Sequence, residues 1–334
     1  MMKALVYTQP HEMQCRDYPE PTLEPGEVII EIKASGICGS DMHAYHGHDP
    51  RRQPGLVMGH ELSGEIHASA SPRFKAGQKV TVDPLITCGC CSYCRTGRDN
   101  LCENRGMVGM SRPGAYAEFM SIPASSVIPI PDDMPHTMAV LTEPAATVLH
   151  ALNISLPKMA RPVQECKVLV IGGGAIGLLM ALLLRSRGVH HVDLAETNPL
   201  RCASAGEHSK ARAFDPVAEP PAESIYDYVV DAVGRKVTRE MAVHALKPGG
   251  VLMHMGLQDW SSQMDMRKIT LAEHVVLGTY TYTYADLQAT VEALHNNVFG
   301  NLGWVEYRAL ADGPEAFRVL DQRETQAAKI VLLP

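Results

Sequence analysis

The chain has 334 residues, of which 46% are hydrophobic and 20% charged, with a formal net charge of −7. That length allows two packed cores, and the composition is that of a folded protein rather than a disordered one. The acidic balance and the scatter of Lys and Arg leave no basic footprint for nucleic acid, and no apolar run reaches the roughly 18 residues of a membrane span.

From the amino terminus, Met1 to Tyr7 reads as a short strand without the features of a signal peptide, so a cytoplasmic protein is expected. Up to about residue 130 the chain carries short runs such as Val28-Ile29-Ile30-Glu31-Ile32 and Lys79-Val80-Thr81-Val82, punctuated by Pro and Gly. This predicts an irregular β-rich domain. Within it, Cys38-Gly39-Ser40-Asp41-Met42-His43 and Gly59-His60-Glu61 offer a thiolate, an imidazole and a carboxylate. Those are the ligand types of an open catalytic zinc site, and Glu143 of Leu141-Thr142-Glu143-Pro144 is the next candidate. Each alone would more often be a buried thiol or a solvated charge; their combination is more specific. His46-Gly47-His48-Asp49 and Arg51-Arg52 form a polar loop at a candidate substrate entrance. Either arginine could meet an anionic group, although a solvated basic loop is the more ordinary reading.

Five of the nine cysteines fall between Cys88 and Cys102. Cys88, Cys91, Cys94 and Cys102 follow the pattern C-x-x-C-x-x-C-x7-C, which can close a tetrahedral zinc shell of four thiolates; Cys90 breaks the even spacing and is left out. With no coordination position left for substrate, this zinc is expected to be structural, in a lobe of about residues 86–104.

From Lys167 the pattern becomes strand, glycine turn and apolar helix, which predicts a parallel sheet wrapped by helices. Lys167 to Ile171 is the first strand, Ala175 to Arg187 its helix and Val189 to Ala195 the second strand. Between them Gly172-Gly173-Gly174-Ala175-Ile176-Gly177 satisfies GxGxxG, whose first and last glycines serve the turn and helix packing while Gly174 lets backbone approach a pyrophosphate. Glu196 ends the second strand where a carboxylate would bind the adenosine ribose, which favours NAD over NADP. Arg201 tempers this, since an arginine nearby can accommodate a 2′-phosphate. Later strands are predicted at Tyr226 to Asp231, after Gly249-Gly250, and at Val275 to Gly278.

On these residues the chain resembles the medium-chain zinc dehydrogenases, in particular the sorbitol (polyol) and threonine dehydrogenase branch, over essentially its whole length. The resemblance implies an α/β protein: a GroES-like catalytic domain (1–144, resumed at 282–334) around a Rossmann doubly wound domain (145–281). It implies zinc and NAD as cofactors, a small-molecule alcohol substrate, and homodimers or homotetramers. Cys38 and His60 would be catalytic zinc ligands, Glu61 a ligand in the polyol branch, and Glu143 a ligand directly or through water. Ser40 would hydrogen-bond the substrate oxygen and His43 would pass its proton to solvent.

The resemblance has gaps. Sorbitol dehydrogenases carry an aromatic after the relay histidine and an Arg-Tyr pair near the end of the cofactor domain; here Ala44 and Thr281-Tyr282 occupy those places. A smaller or differently decorated secondary alcohol is therefore expected, with Tyr45, Tyr280 and Tyr282 as candidate pocket residues. The alternatives are a threonine-type enzyme and, from another class, a non-catalytic zinc or nucleotide sensor, which would show a broken ligand set. A zinc-free quinone reductase would lack Cys38, His60 and Glu61 together.

Overall fold

Strand Glu27–Gly36 buries Val28, Ile30, Ile32 and Ala34 while the residues between them face outward, because successive side chains of a strand point to opposite faces. In the computed structural model, which describes residues 1–334, this strand is the centre of a seven-stranded sheet. It pairs antiparallel with Glu61–Ser69 on one side and with Lys329–Leu333 on the other. The last strands of the chain, Val305–Ala309 and Lys329–Leu333, thus complete the sheet begun by the first third of the sequence. A hairpin of Met2–Gln9 and Glu12–Tyr18 flanks this GroES-like body.

The second sheet has six parallel strands in the order Arg212–Phe214, His191–Ala195, Lys167–Ile171, Tyr226–Asp231, Leu246–His254, Val275–Gly278. That is the 3-2-1-4-5-6 order of the doubly wound dinucleotide fold, with Lys167–Ile171 at the switch point. The glycine turn leaves that strand at its carboxyl end and opens the helix Ala175–Ser186. Residues Gly177 to Leu184 of this helix are all buried, as an apolar helix enclosed on every side requires. Gly177 is obligatory: a Cβ there would stand 1.8 Å from the Gly172 carbonyl oxygen.

Helix Thr142–Ser155 joins the two bodies. Its buried residues share one core of 41 side chains with the Rossmann helices and with Tyr282, Leu287, Val291 and Leu294. The segment after residue 281 therefore does two things: helix Tyr284–His295 packs into this joint core, and only the two later strands enter the front sheet. Asp286 fixes the joint, accepting from Asn153 Nδ2 at 2.8 Å and lying 2.7 Å from His150 Nδ1. No helix is long and apolar enough to cross a membrane.

Candidate functional site

Cys38 ends the approach to a short helix, Gly39–Tyr45, and caps it: the Ser40 N–H points at Cys38 Sγ at 3.5 Å, and Asp41 reaches back to the Cys38 N–H at 3.2 Å. The motif Cys-Gly-Ser-Asp is thus a capping box built on a thiol. The sheet then brings His60 and Glu61, at the start of the next strand, alongside it. The ligand atoms of Cys38, His60 and Glu61 lie within 4.8 Å of one another.

What holds this trio was not foreseen from the sequence. Asp41, fully buried, lies 3.6 Å from His60 Nδ1, which makes no hydrogen bond. Tyr116 donates to Asp41 Oδ2 at 2.6 Å, and Arg52 Nη2 donates to Oδ1 at 3.2 Å. Buried Lys329 donates to both Glu61 oxygens, at 2.6 and 2.7 Å, and to the Ile37 carbonyl at 2.9 Å. Gly36 makes room for the pair, because a Cβ there would come within 2.1 Å of Glu61 Oε2. Burial, followed by the Glu61 carboxylate, pushes the Cys38 thiol up to about 11, so a bound cation is what would turn it into a thiolate.

Glu143 is buried beside the trio rather than in it. Its Oε1 accepts from Tyr282 Oη at 3.1 Å. Burial chiefly, against the pull of His60 and with the push of Glu61 and Cys38, raises its pKa to about 8. The protonated acid can therefore sit beside Glu61 without a second buried negative charge.

Ser40 and His43 are three residues apart on one helix, hence on one face. Ser40 Oγ accepts from Arg52 Nη2 at 3.2 Å, which leaves its own proton free to donate. Half-buried His43 is held below the ordinary imidazole range by burial and then by His46, His48 and Arg52.

Several expectations about the substrate rim change. Arg52 is buried and committed to Asp41, Asp49 and Ser40, so it cannot receive an anionic substrate. Exposed Arg51 is paired with Asp49 at 2.8 and 2.9 Å. Tyr45 packs against Phe317, ring centroids 5.4 Å apart, in the amino-terminal core rather than in a pocket. Tyr280 does line a cavity of about 420 Å³ with Arg51, Arg105, Leu85 and Met107. The Arg105 guanidinium lies 4.6 Å from the Tyr280 ring centroid.

In the lobe the Sγ atoms of Cys88, Cys91, Cys94 and Cys102 stand 3.5 to 4.0 Å apart along the three measured edges. A tetrahedron with Zn–S arms of 2.3 Å has edges of about 3.8 Å, and no disulfide forms. Backbone N–H groups of Cys90 and Cys91 bring the Cys88 thiol down to about 6; exposed Cys90 lies outside the set. The set can hold a closed, structural zinc. Cys94→Ser is expected to lower zinc by one equivalent and to cost several kcal/mol, since such sites bind with apparent energies of order 10 kcal/mol. Metal analysis and melting check this; unchanged values for both would remove the assignment.

At the dinucleotide end, Gly174 caps the helix without a side-chain bond, and a Cβ there would meet nothing within 4 Å. The first-turn N–H groups of Ala175, Ile176 and Gly177 are thus open to an anion. Glu196 is fixed by two backbone donors, Gly173 N at 2.8 Å and Asn198 N at 2.7 Å. It lines a cavity of about 590 Å³ with Thr197, Pro199 and Asp215. Arg201, half-buried with its Nε unpartnered, lies in the field of Glu196. Asp193 instead accepts from Tyr226 Oη at 2.7 Å within the sheet.

Comparison with known proteins places this geometry. The family model of the alcohol dehydrogenase GroES-like domain matches residues 24–132, and that of zinc-binding dehydrogenases matches residues 175–296. An L-threonine 3-dehydrogenase of Rhizobium johnstonii is 33% identical over 84% of each chain. An L-galactonate-5-dehydrogenase of Escherichia coli is 31% identical over 85% of each. Among solved structures, a zinc-binding dehydrogenase of Sinorhizobium meliloti bound to NADP shares 27% identity, with a TM-score of 0.86 over 100% of this chain and 99% of the other.

Proposed function

The chain belongs to the medium-chain zinc dehydrogenases, in the branch that holds threonine and polyol dehydrogenases, and on that premise we propose that it oxidises a secondary alcohol with NAD at the Cys38, His60 and Glu61 cluster. The convergence of those three donor atoms within 4.8 Å carries the reading. One thiol, one imidazole and one carboxylate suit zinc and leave a tetrahedral position for substrate. When bound, zinc polarises the carbinol oxygen as a Lewis acid and the nicotinamide takes the hydride.

The chain's own residues bind, orient and move the proton. Asp41 flanks His60 at 3.6 Å, and Lys329 holds Glu61, so the cluster is arranged before any ligand arrives. The Gly174 turn and the helix behind it seat the pyrophosphate, while Glu196 accepts from the ribose hydroxyls and repels a 2′-phosphate. Ser40, steadied by Arg52, takes the carbinol proton as it releases its own, and His43 carries that proton toward solvent.

His43 must be neutral to accept a proton, and its pKa is depressed. The acid limb of kcat/KM for alcohol oxidation is therefore expected below the ordinary imidazole value of about 6.5, with activity falling as pH drops through it. A pH profile checks this: His43→Gln should abolish the limb, and a limb unmoved by that change would exclude the relay.

The substrate class proposed is a polyol, sugar alcohol or sugar acid; a threonine-type amino alcohol is the second reading, favoured by the relatives named for that activity. A homodimer or homotetramer in the cytoplasm belongs to the same proposal. The test is NADH formation at alkaline pH against polyols, sugar acids, sugar phosphates and amino alcohols, with zinc measured in parallel. Turnover of a polyol-type substrate, more efficient with NAD than NADP, is expected. Turnover of threonine alone selects the second reading, and higher efficiency with NADP shifts cofactor choice from Glu196 to Arg201.

A further inference from the structure

A third set of metal-ligating atoms converges away from both zinc clusters, where the amino-terminal hairpin, the helix bearing Ser40 and His43, and helix Gly313–Asp321 meet. His46 Nε2 lies 2.6 Å from Asp321 Oδ1, and His11 Nδ1 lies 3.8 Å from Asp321 Oδ2. One ligand atom from each residue falls within 4.8 Å of the others. His11, His46 and Asp321 come from distant parts of the sequence, so neighbouring positions in the chain do not explain the cluster.

The backbone beneath it is fixed. His11 sits in the hairpin turn at φ +64°, its N–H donates to the Tyr45 carbonyl at 2.6 Å, and its ring stands edge-on to Tyr45 with centroids 5.3 Å apart. His46 ends its helix, its N–H donating to Met42 O at 2.9 Å. Asp321 ends helix Gly313–Asp321, whose Phe317 packs on the same Tyr45. The three side chains are 59%, 31% and 30% exposed, so an ion can reach them from solvent.

A hydrogen bond accounts for His46 and Asp321 alone. It does not account for His11 Nδ1, which stands beyond hydrogen-bond reach yet beside the other carboxylate oxygen. Ligands of one tetrahedral ion with arms of about 2.1 Å lie about 3.4 Å apart, between the two observed separations. We propose that His11, His46 and Asp321 form a third, surface metal site for zinc or another imidazole-preferring divalent ion, tying together the hairpin, the Ser40–His43 helix and the carboxy-terminal helix. Two imidazoles and one carboxylate select such ions over calcium and magnesium, which take oxygen ligands.

The test uses tag-free protein already holding its catalytic and structural zinc. Titration with Zn2+ in a calorimeter should show one further equivalent per chain, with a concentration-dependent rise in the melting midpoint; Mg2+ should give neither. Loss of a partner behind a metal ligand costs 10–100-fold in affinity. Loss of a ligand in His11→Gln or Asp321→Asn should therefore weaken the extra equivalent by at least about 100-fold. Retained dehydrogenase activity and two retained zinc equivalents certify that each variant is folded. Saturation at two equivalents in the parent protein overturns the proposal, as does a third equivalent that survives both His11→Gln and Asp321→Asn.

Discussion

His60→Ala is expected to lower kcat/KM for alcohol oxidation by at least about a thousandfold, because a Lewis acid at the reacting oxygen supplies several kcal/mol and each 1.36 kcal/mol is a factor of ten. The substitution removes one of three clustered donors and leaves Asp41 without the imidazole it faces at 3.6 Å. Zinc should fall from two equivalents per chain to one, since the four-sulfur lobe is built from other residues. The contrast with Cys94→Ser makes the pair informative. Cys94→Ser should also lose one zinc, but its main cost should be in stability. A His60→Ala protein that keeps two zinc ions and most of its activity would move the chemistry away from this cluster.

Lys329→Met is expected to destabilise the fold by about 3–5 kcal/mol, the cost of leaving one partner of a buried ion pair uncompensated. The Glu61 carboxylate is 1% exposed and takes both its hydrogen bonds here from Lys329, itself 3% exposed. Burial alone would lower the lysine pKa, but the Glu61 carboxylate, by its charge and its hydrogen bonds, more than offsets it, and the ammonium persists. With an unfolding entropy near 2.1 cal/mol/K per residue, the melting midpoint should fall by about 4–7 °C. The loss should be largest in chelator and smaller with zinc present, because a cation can replace the ammonium beside Glu61. A melting midpoint that is unchanged in chelator would show that Glu61 does not depend on Lys329.

These two expectations rest on different kinds of information. His60 was legible early, because the ligand types Cys, His and Glu stand in short motifs whose chemistry is peculiar to metals. Lys329 gave no such signal. A lysine at the first position of a short apolar strand looks like any strand-end charge, and its partner lies 268 positions away. Arg52 erred in the opposite direction. A basic pair in a polar loop reads as solvated or substrate-facing, yet burial under Asp41 and Asp49 makes it part of the frame that steadies Ser40. Tyr282, placed only as a pocket candidate, reaches Glu143 because helix Tyr284–His295 docks on helix Thr142–Ser155.

What the amino-acid order determined by itself was whatever depends on a few neighbouring residues: the glycine turn between strand and helix, four cysteines on one loop, and the alternation that makes a strand. Such features are decided by backbone geometry and spacing, and those travel with the chain. The tertiary structure alone decided which buried charge faces which: Lys329 on Glu61, Asp41 beside His60, Arg52 beneath Ser40, Asp321 between two histidines. The pairing of Lys329 with Glu61 follows from the return of the last strand to the first sheet, and a charge declares its partner only once burial has removed the water that would otherwise serve.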